Sequence, residues 1–310
     1  MRNDFVKQTL IEMERNRDII FLTGDLGFNA LEPIRDKFPK RFINAGIAEG
    51  NMIGLAAGLA LTGKKVICYS IASFLTMRPY EQIRTDVCYD NLDVKLFAPG
   101  GGYNYPTHGV THHTIEDVAI MNVLPNMTVV CPGYSWEARE ATSALIRHKG
   151  PTYMRLSKSP GEHYQHKSWK FQLGKGYEVR KGKDAVLIST GNILDMVLAT
   201  AELIEKKSKK KIRVGVVSMP CLKPIDQKLI KNLAKQYPLI CTIEEHSMIG
   251  GLGSIVASLL GQSPVSSKSR FQMFGIPDLF IKDVGSRNYL LAKVGLEPKV
   301  LSGQILKLLK

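Results

Sequence analysis

The chain has 310 residues, 44% of them hydrophobic and 23% charged, with a formal net charge of +14 at pH 7. That length suits two domains of about 150 residues, each able to bury its own core, at the apolar content of an ordinary soluble protein. No apolar stretch near 18 residues runs without a polar break, and Asp4, Lys7, Glu12, Glu14 and Arg15 interrupt the first apolar positions, so neither a membrane span nor a signal region is expected, and a cytoplasmic location is. Cys68, Cys88, Cys131, Cys221 and Cys241 lie singly and without Cys-x-x-Cys spacing, which favours buried thiols over disulfides or zinc ligands. The positive charge raises the question of nucleic acid. Much of the excess is local, at Lys206, Lys207, Lys209, Lys210 and Lys211, where a predicted helix ends and cations suit its dipole. With no interleaved aromatics and no nucleic-acid motif, neither a nucleic-acid nor a membrane partner is expected.

In chain order, strand-like apolar runs at 19–23, 65–70, 94–98, 128–131 and 152–156 alternate with helical stretches, the order of a parallel, doubly wound sheet. After the first run comes Gly24-Asp25-Leu26-Gly27, a strand-end turn that places a carboxylate where clefts form in such sheets. Next, Glu49 immediately precedes residues 52–61, which are Met, Ile, Gly, Leu, Ala, Ala, Gly, Leu, Ala and Leu, so the helix is apolar on every side and is expected to be buried between other elements. A carboxylate there must be partnered: helix capping, a raised pKa and a donor on a ligand all remain open. Ser73-Phe74-Leu75 follows the run at 65–70, and Gly109-Val110-Thr111-His112-His113 precedes Glu116-Asp117-Val118-Ala119. Polar residues without either periodicity follow Lys158 and read as a linker. Alternation resumes with strands at 185–190, 212–219 and 239–244, helices from Ile193, Gln227 and Leu252, and a last helix over 302–309. The cluster Gly250-Gly251-Leu252-Gly253 tempts a phosphate-loop reading, but it lacks the full dinucleotide fingerprint, and tight helix-to-strand packing is expected instead.

The segment Asn44-Ala45-Gly46-Ile47-Ala48-Glu49-Gly50-Asn51-Met52-Ile53-Gly54 resembles the pyrimidine-binding module of transketolase-like, thiamine diphosphate-dependent enzymes, and the other motifs quoted above stand in that family's order. Ile243-Glu244-Glu245-His246 and the following glycine cluster resemble its C-terminal module. The resemblance implies an α/β protein of two doubly wound domains: a pyrimidine-binding domain over 1–160, a linker over 161–172 and a transketolase C-terminal-like domain over 173–310. It implies Glu49 as the glutamate facing the cofactor's aminopyrimidine, sharing a proton with its ring nitrogen. It further implies Phe74 as the aromatic stacked on that ring, Asp25 as an aspartate near the cofactor, and His112 as a histidine lining the substrate channel, with His113 behind it.

In two places the chain departs from the family. Gly100-Gly101-Gly102 and Asn104-Tyr105-Pro106-Thr107-His108 stand where transketolases carry more polar residues, and His108 is either a replacement for part of that set or an exposed loop histidine. No Gly-Asp-Gly occurs, so the Mg²⁺ and diphosphate site is expected from a separate subunit, with self-association into an α2β2 assembly. Arg155 and Lys158 are candidates for a substrate phosphate, against a surface or interdomain ion pair, and Asn29, with Arg2, matches a further anion site loosely. The resemblance therefore implies one subunit of a split transketolase, moving a two-carbon ketol unit between sugars or sugar phosphates. Deoxyxylulose phosphate synthase-like or 2-oxo acid dehydrogenase beta-subunit-like decarboxylating chemistry shares Glu49 and the fold, and a scaffold subunit without catalysis is the non-enzyme alternative.

Overall fold

The computed structural model describes residues 1–157, 169–262 and 269–310. The strands are β1 (Ile19–Thr23), β2 (Phe42–Asn44), β3 (Lys65–Tyr69), β4 (Val94–Pro99), β5 (Thr128–Val130), β6 (Thr152–Leu156), β7 (Tyr177–Arg180), β8 (Ala185–Thr190), β9 (Val214–Ser218), β10 (Cys221–Lys223), β11 (Leu239–Ser247) and β12 (Arg270–Ile276). They form a 7-stranded sheet in the order β10-β5-β6-β4-β3-β1-β2 and a 5-stranded sheet in the order β12-β11-β8-β9-β7. Both are parallel except for one antiparallel edge strand each, β10 and β7. Helices cover both faces, so β4, β6 and β8 are buried along their whole length and read as continuous apolar runs. Lys95 is the exception inside β4: its ammonium reaches the carbonyls of His148 and Gly150 at 2.7 and 2.6 Å, and burial lowers its pKa to about 8.

Several features differ from the sequence expectation. The strand β10 comes from the second half of the chain but hydrogen-bonds to β5, so the two halves are stitched by backbone as well as by side chains. The three-residue strands β2 and β10 are too short to show a periodicity, and β12 alternates exposed and half-buried positions because it lies at an edge. The helix Glu49–Leu61 is not buried on every side. Met52, Ile53, Ala56 and Ala57 pack inward on the sheet, whereas Asn51, Gly54, Leu55, Gly58 and Leu61 face outward, and among the described residues nothing covers them. The lysine-rich segment begins at the end of the helix Leu194–Lys207. All five cysteines are buried, free thiols. No helix among the described residues is long and apolar enough to cross a membrane.

Parallel strands bring the loops after β1, β3 and β4 to one edge of the larger sheet. That edge carries Asp25, Ser70, Phe74 and the segment from Gly100 to His113, and the loop after β2 brings Glu49 to it.

Candidate active site

Glu49 is the first residue of its helix, and its side chain is 1% exposed. Its oxygens do not cap their own first turn. Ser70 Oγ, at the end of β3, donates to Oε1 at 3.0 Å, and Arg78 Nη1 donates to Oε2 at 2.8 Å. Arg78 follows the short helix Ala72–Met77, one turn beyond Phe74. This i, i+4 spacing lays its guanidinium over the Phe74 ring, with Cζ 3.9 Å from the centroid. Phe74 also meets His112 edge-on at 5.0 Å, and His112 in turn meets His108 at 4.7 Å and Tyr105 at 5.8 Å between centroids. Glu49, Phe74, His112 and His108 thus form one continuous line of contacts.

The two Thr-His pairs are built alike. Thr111 Oγ1 lies 2.9 Å from His112 Nδ1 and Thr107 Oγ1 lies 3.2 Å from His108 Nδ1, which fixes one ring nitrogen of each and leaves Nε2 as the atom for a ligand. Desolvation first, and then the neighbouring His108, His113 and Arg78, push the His112 pKa below the ordinary histidine value, so its ring is neutral at pH 7. Ser73 Oγ donates to the Thr111 carbonyl at 3.0 Å and ties this loop to the Phe74 helix. His113 is buried behind, edge-on to Tyr103, and burial depresses its pKa as well.

Asp25 lies beside this line rather than in it. It is exposed, has φ 55°, and exchanges hydrogen bonds with Asn44: its N–H donates to Asn44 Oδ1 at 2.9 Å, and Asn44 Nδ2 donates to Asp25 Oδ1 at 2.8 Å. The neighbouring Gly24 leaves room for Glu49, whose Oε1 would lie 3.5 Å from a Cβ at that position. Asn29 is exposed with φ 60°, and its N–H donates to Glu32 at 2.9 Å in a helix-start turn. Arg2 acts electrostatically on Tyr69 and Tyr105, the latter in contact with both histidines.

Of the two readings left open for Arg155, the structure shows the ion pair. Its guanidinium is buried: Nε lies 3.1 Å from Asp117 Oδ2, Nη1 donates to the Glu245 carbonyl at 3.1 Å, and Nη2 donates to the Thr114 carbonyl at 2.7 Å. The second half of the chain folds over the end of β6, so this cation is an interdomain strut, the alternative reading of its charge. Gly101 explains part of the glycine run, since a Cβ there would overlap the Arg155 side chain at Nε. Glu245 receives the Tyr103 amide at 2.7 Å and the Arg287 guanidinium, closing the same seam. Lys158 lies outside the described residues.

The glycine cluster packs as expected. Leu252 and Gly253 amides, at the start of the helix Leu252–Gly261, donate to Glu244 at 2.7 and 2.8 Å, so the anion at that helix end is the protein's own carboxylate. Burial pushes the Glu244 pKa up to about 7. Among the described residues no group of three or more His, Cys, Asp or Glu is arranged to hold a metal ion. The buried Glu49 carboxylate and the ring of Phe74, bridged by Arg78, fit the edge and face of an aminopyrimidine. Sequence reasoning missed Ser70 and Arg78. The four-residue spacing from Phe74 was the available signal for Arg78, whereas Ser70 is marked only by its place at a strand end.

Residues 5–162 match the family of the transketolase pyrimidine binding domain, and residues 174–301 that of the transketolase C-terminal domain. The chain is 34% identical to a Methanocaldococcus jannaschii protein described as a transketolase C-terminal section, over 98% of this chain and 94% of the relative. It is 31% identical to an apulose-4-phosphate transketolase subunit of Phocaeicola vulgatus, over 97% and 95% of the two chains. A solved split gene transketolase, described as an inactive beta4 tetramer, superposes with a TM-score of 0.85 at 32% identity, covering 100% of this chain and 98% of that one. The chain belongs to the transketolase family and corresponds, over nearly its whole length, to the C-terminal section of the split enzymes.

Proposed function

We propose that this chain is the pyrimidine-binding subunit of a split transketolase that transfers a two-carbon ketol unit between a ketose and an aldose, with a partner subunit supplying the diphosphate and Mg²⁺ site. Thiamine diphosphate, when bound, supplies the carbon nucleophile that cleaves and re-forms the sugar chain. The observation that carries this reading is Glu49, a carboxylate 1% exposed at a helix start, linked through Arg78 to the ring of Phe74. Glu49 would hold a proton at the pyrimidine ring nitrogen, and Phe74 would stack on the ring face. His112, neutral near pH 7 with Nδ1 tied to Thr111, would offer Nε2 to a sugar hydroxyl, with His108 beside it. Asp25 would stand at the outer margin of the cofactor seat, and Asn29 further along the same edge.

The outward face of the helix Glu49–Leu61 supports a shared site. A Cβ placed on Gly54 or Gly58 would meet nothing within 4 Å, and Ile47, just before Glu49, and Leu61, at the far end of the helix, are 74% and 69% exposed. Covering this face with a second copy or with the partner would enclose the cofactor and build an α2β2 assembly. Phosphorylated sugars are the proposed substrates, in line with the name of the Phocaeicola vulgatus relative.

Glu49→Gln tests the reading, because it keeps the shape and removes the acid. In the reconstituted complex, deuterium exchange at the reactive thiazolium carbon should fall by at least roughly a hundredfold, the scale of losing a general acid–base group, while melting is retained. Wild-type exchange in the Gln variant would end the assignment.

A further inference from the structure

Both groups assigned to the cofactor's aminopyrimidine are engaged by one residue of the chain itself. Arg78 donates Nη1 to Glu49 Oε2 at 2.8 Å and lays its Cζ 3.9 Å over the centroid of Phe74. A guanidinium is planar, cationic and edged with N–H donors, so it presents to a carboxylate and a phenyl face what an aminopyrimidine presents: a donor edge and a flat ring-like surface. At that stacking distance no second flat group fits between Arg78 and Phe74, and the guanidinium takes up the side of the Glu49 carboxylate from which a ring edge would approach. Resting on the reading of Glu49 and Phe74 above, we propose that Arg78 is a placeholder: it occupies the pyrimidine seat of the cofactor-free chain and must be displaced for thiamine diphosphate to enter.

The surroundings suit a side chain that leaves. Arg78 is 46% exposed while Glu49 is 1% exposed, so the arginine approaches from the open side and can swing into water without opening the core. Its backbone is held in helical geometry between the helices Ala72–Met77 and Tyr80–Gln82, so only the side chain need move. Ser70 bonds the other oxygen, Oε1, at 3.0 Å, a contact that does not involve Arg78. The arrangement also gives Glu49 a cationic partner before the cofactor arrives, which a carboxylate this deeply buried requires.

The test is cofactor affinity rather than turnover, measured by calorimetry with thiamine diphosphate and Mg²⁺ on the reconstituted complex. Removing a competitor tightens binding, so Arg78→Ala should lower Kd by about tenfold, the scale of a half-exposed ion pair with a ring contact. Arg78→Lys, which keeps the charge but loses the flat face, should lie between Ala and wild type. If Arg78→Ala does not fold, Arg78→Gln, which keeps a donor for Glu49 without the charge, carries the same expected direction. An unchanged Kd overturns the proposal, and a weaker one overturns it by making Arg78 a contact to the bound cofactor. The two readings fail separately: normal thiazolium exchange in Glu49→Gln sinks the cofactor assignment, whereas slowed exchange there with no tightening in the Arg78 variants sinks the placeholder alone.

Discussion

Asp117→Asn is the perturbation that most directly tests the seam beneath the site. Asp117 and Arg155 are both buried, with Arg155 Nε 3.1 Å from Asp117 Oδ2, and Tyr153 donates its hydroxyl to the same oxygen at 2.5 Å. Asparagine keeps the size and an acceptor for Tyr153 but removes the counter-charge. Arginine cannot shed its proton, so the guanidinium would stay charged in place. Two unit charges about 4 Å apart at an effective dielectric near 20 attract by about 4 kcal/mol, and breaking a buried pair from one side costs about 3–5 kcal/mol. The lower end applies, because the carbonyls of Thr114 and Glu245 continue to accept from Arg155. We expect a loss of about 3 kcal/mol in urea unfolding followed by the fluorescence of Trp136, which is buried against Tyr177 across the two halves. Pairing the change with Arg155→Met removes the stranded charge, so the double variant should be more stable than Asp117→Asn alone. A single-variant loss below about 1 kcal/mol, or a double variant worse than the single, would refute the ion-pair account.

Two further outcomes follow from buried and uncovered groups. Glu137 is fully buried, and although the Gly133 amide and Ser218 hydroxyl hydrogen-bond to it at 2.6 and 2.8 Å, desolvation lifts its pKa from 4.5 to about 7. The unfolded chain releases this proton first, so the group's contribution is complete below pH 4.5 and is lost as pH rises to about 7. Relative to wild type, Glu137→Gln should therefore gain on the order of 3 kcal/mol between pH 4.5 and 8, measured by urea unfolding, and a pH-independent difference would contradict it. Glu244 and His246, whose shifts oppose one another, are common to both proteins and cancel. Gly54→Leu should leave the folded chain intact or up to about 1 kcal/mol more stable, since a side chain meets nothing there and leucine favours helix. Sedimentation with the partner should nevertheless show loss of assembly, because leucine separates surfaces that glycine lets approach closely; assembly as tight as wild type would remove this face from the interface.

What the sequence made legible follows from which residues report on more than their neighbours. The runs that became β1, β3, β4, β6, β8 and β11 are long and covered on both sides, so their apolarity alone marks them. Strand β10 is three residues long and belongs to a sheet begun in the first half of the chain, a pairing that no local pattern encodes. Glu49, Phe74 and His112 stood out in the sequence because each lies in a short motif, at a helix start, within a helix after β3 and in the long loop after β4. Arg155 misled for a physical reason: a cation at the end of β6 looks the same in sequence whether water or the second half of the chain lies above it. The outer face of the Glu49–Leu61 helix misled in the opposite sense, since glycine and leucine suit a helix covered by another subunit as well as one covered by its own domain.

Those two errors point to how the molecule divides its polar chemistry. At the seam, Arg155, Asp117, Glu244 and Glu245 find their charge or hydrogen-bond partners inside the chain, and the glycines at 101 and 251 let backbone close on them to within contact. At the edge, Glu49 relies on a half-exposed arginine that also covers Phe74, and the apolar surface beside it, from Ile47 to Leu61, is left open. A buried carboxylate whose charge partner is half-exposed and an apolar helix face that no described residue covers can both be completed from outside the chain. Their adjacency means that one event, closing a second subunit over this edge with the cofactor between, would satisfy both. That edge is therefore the open part of the structure, and the seam around Arg155 is the enclosed one.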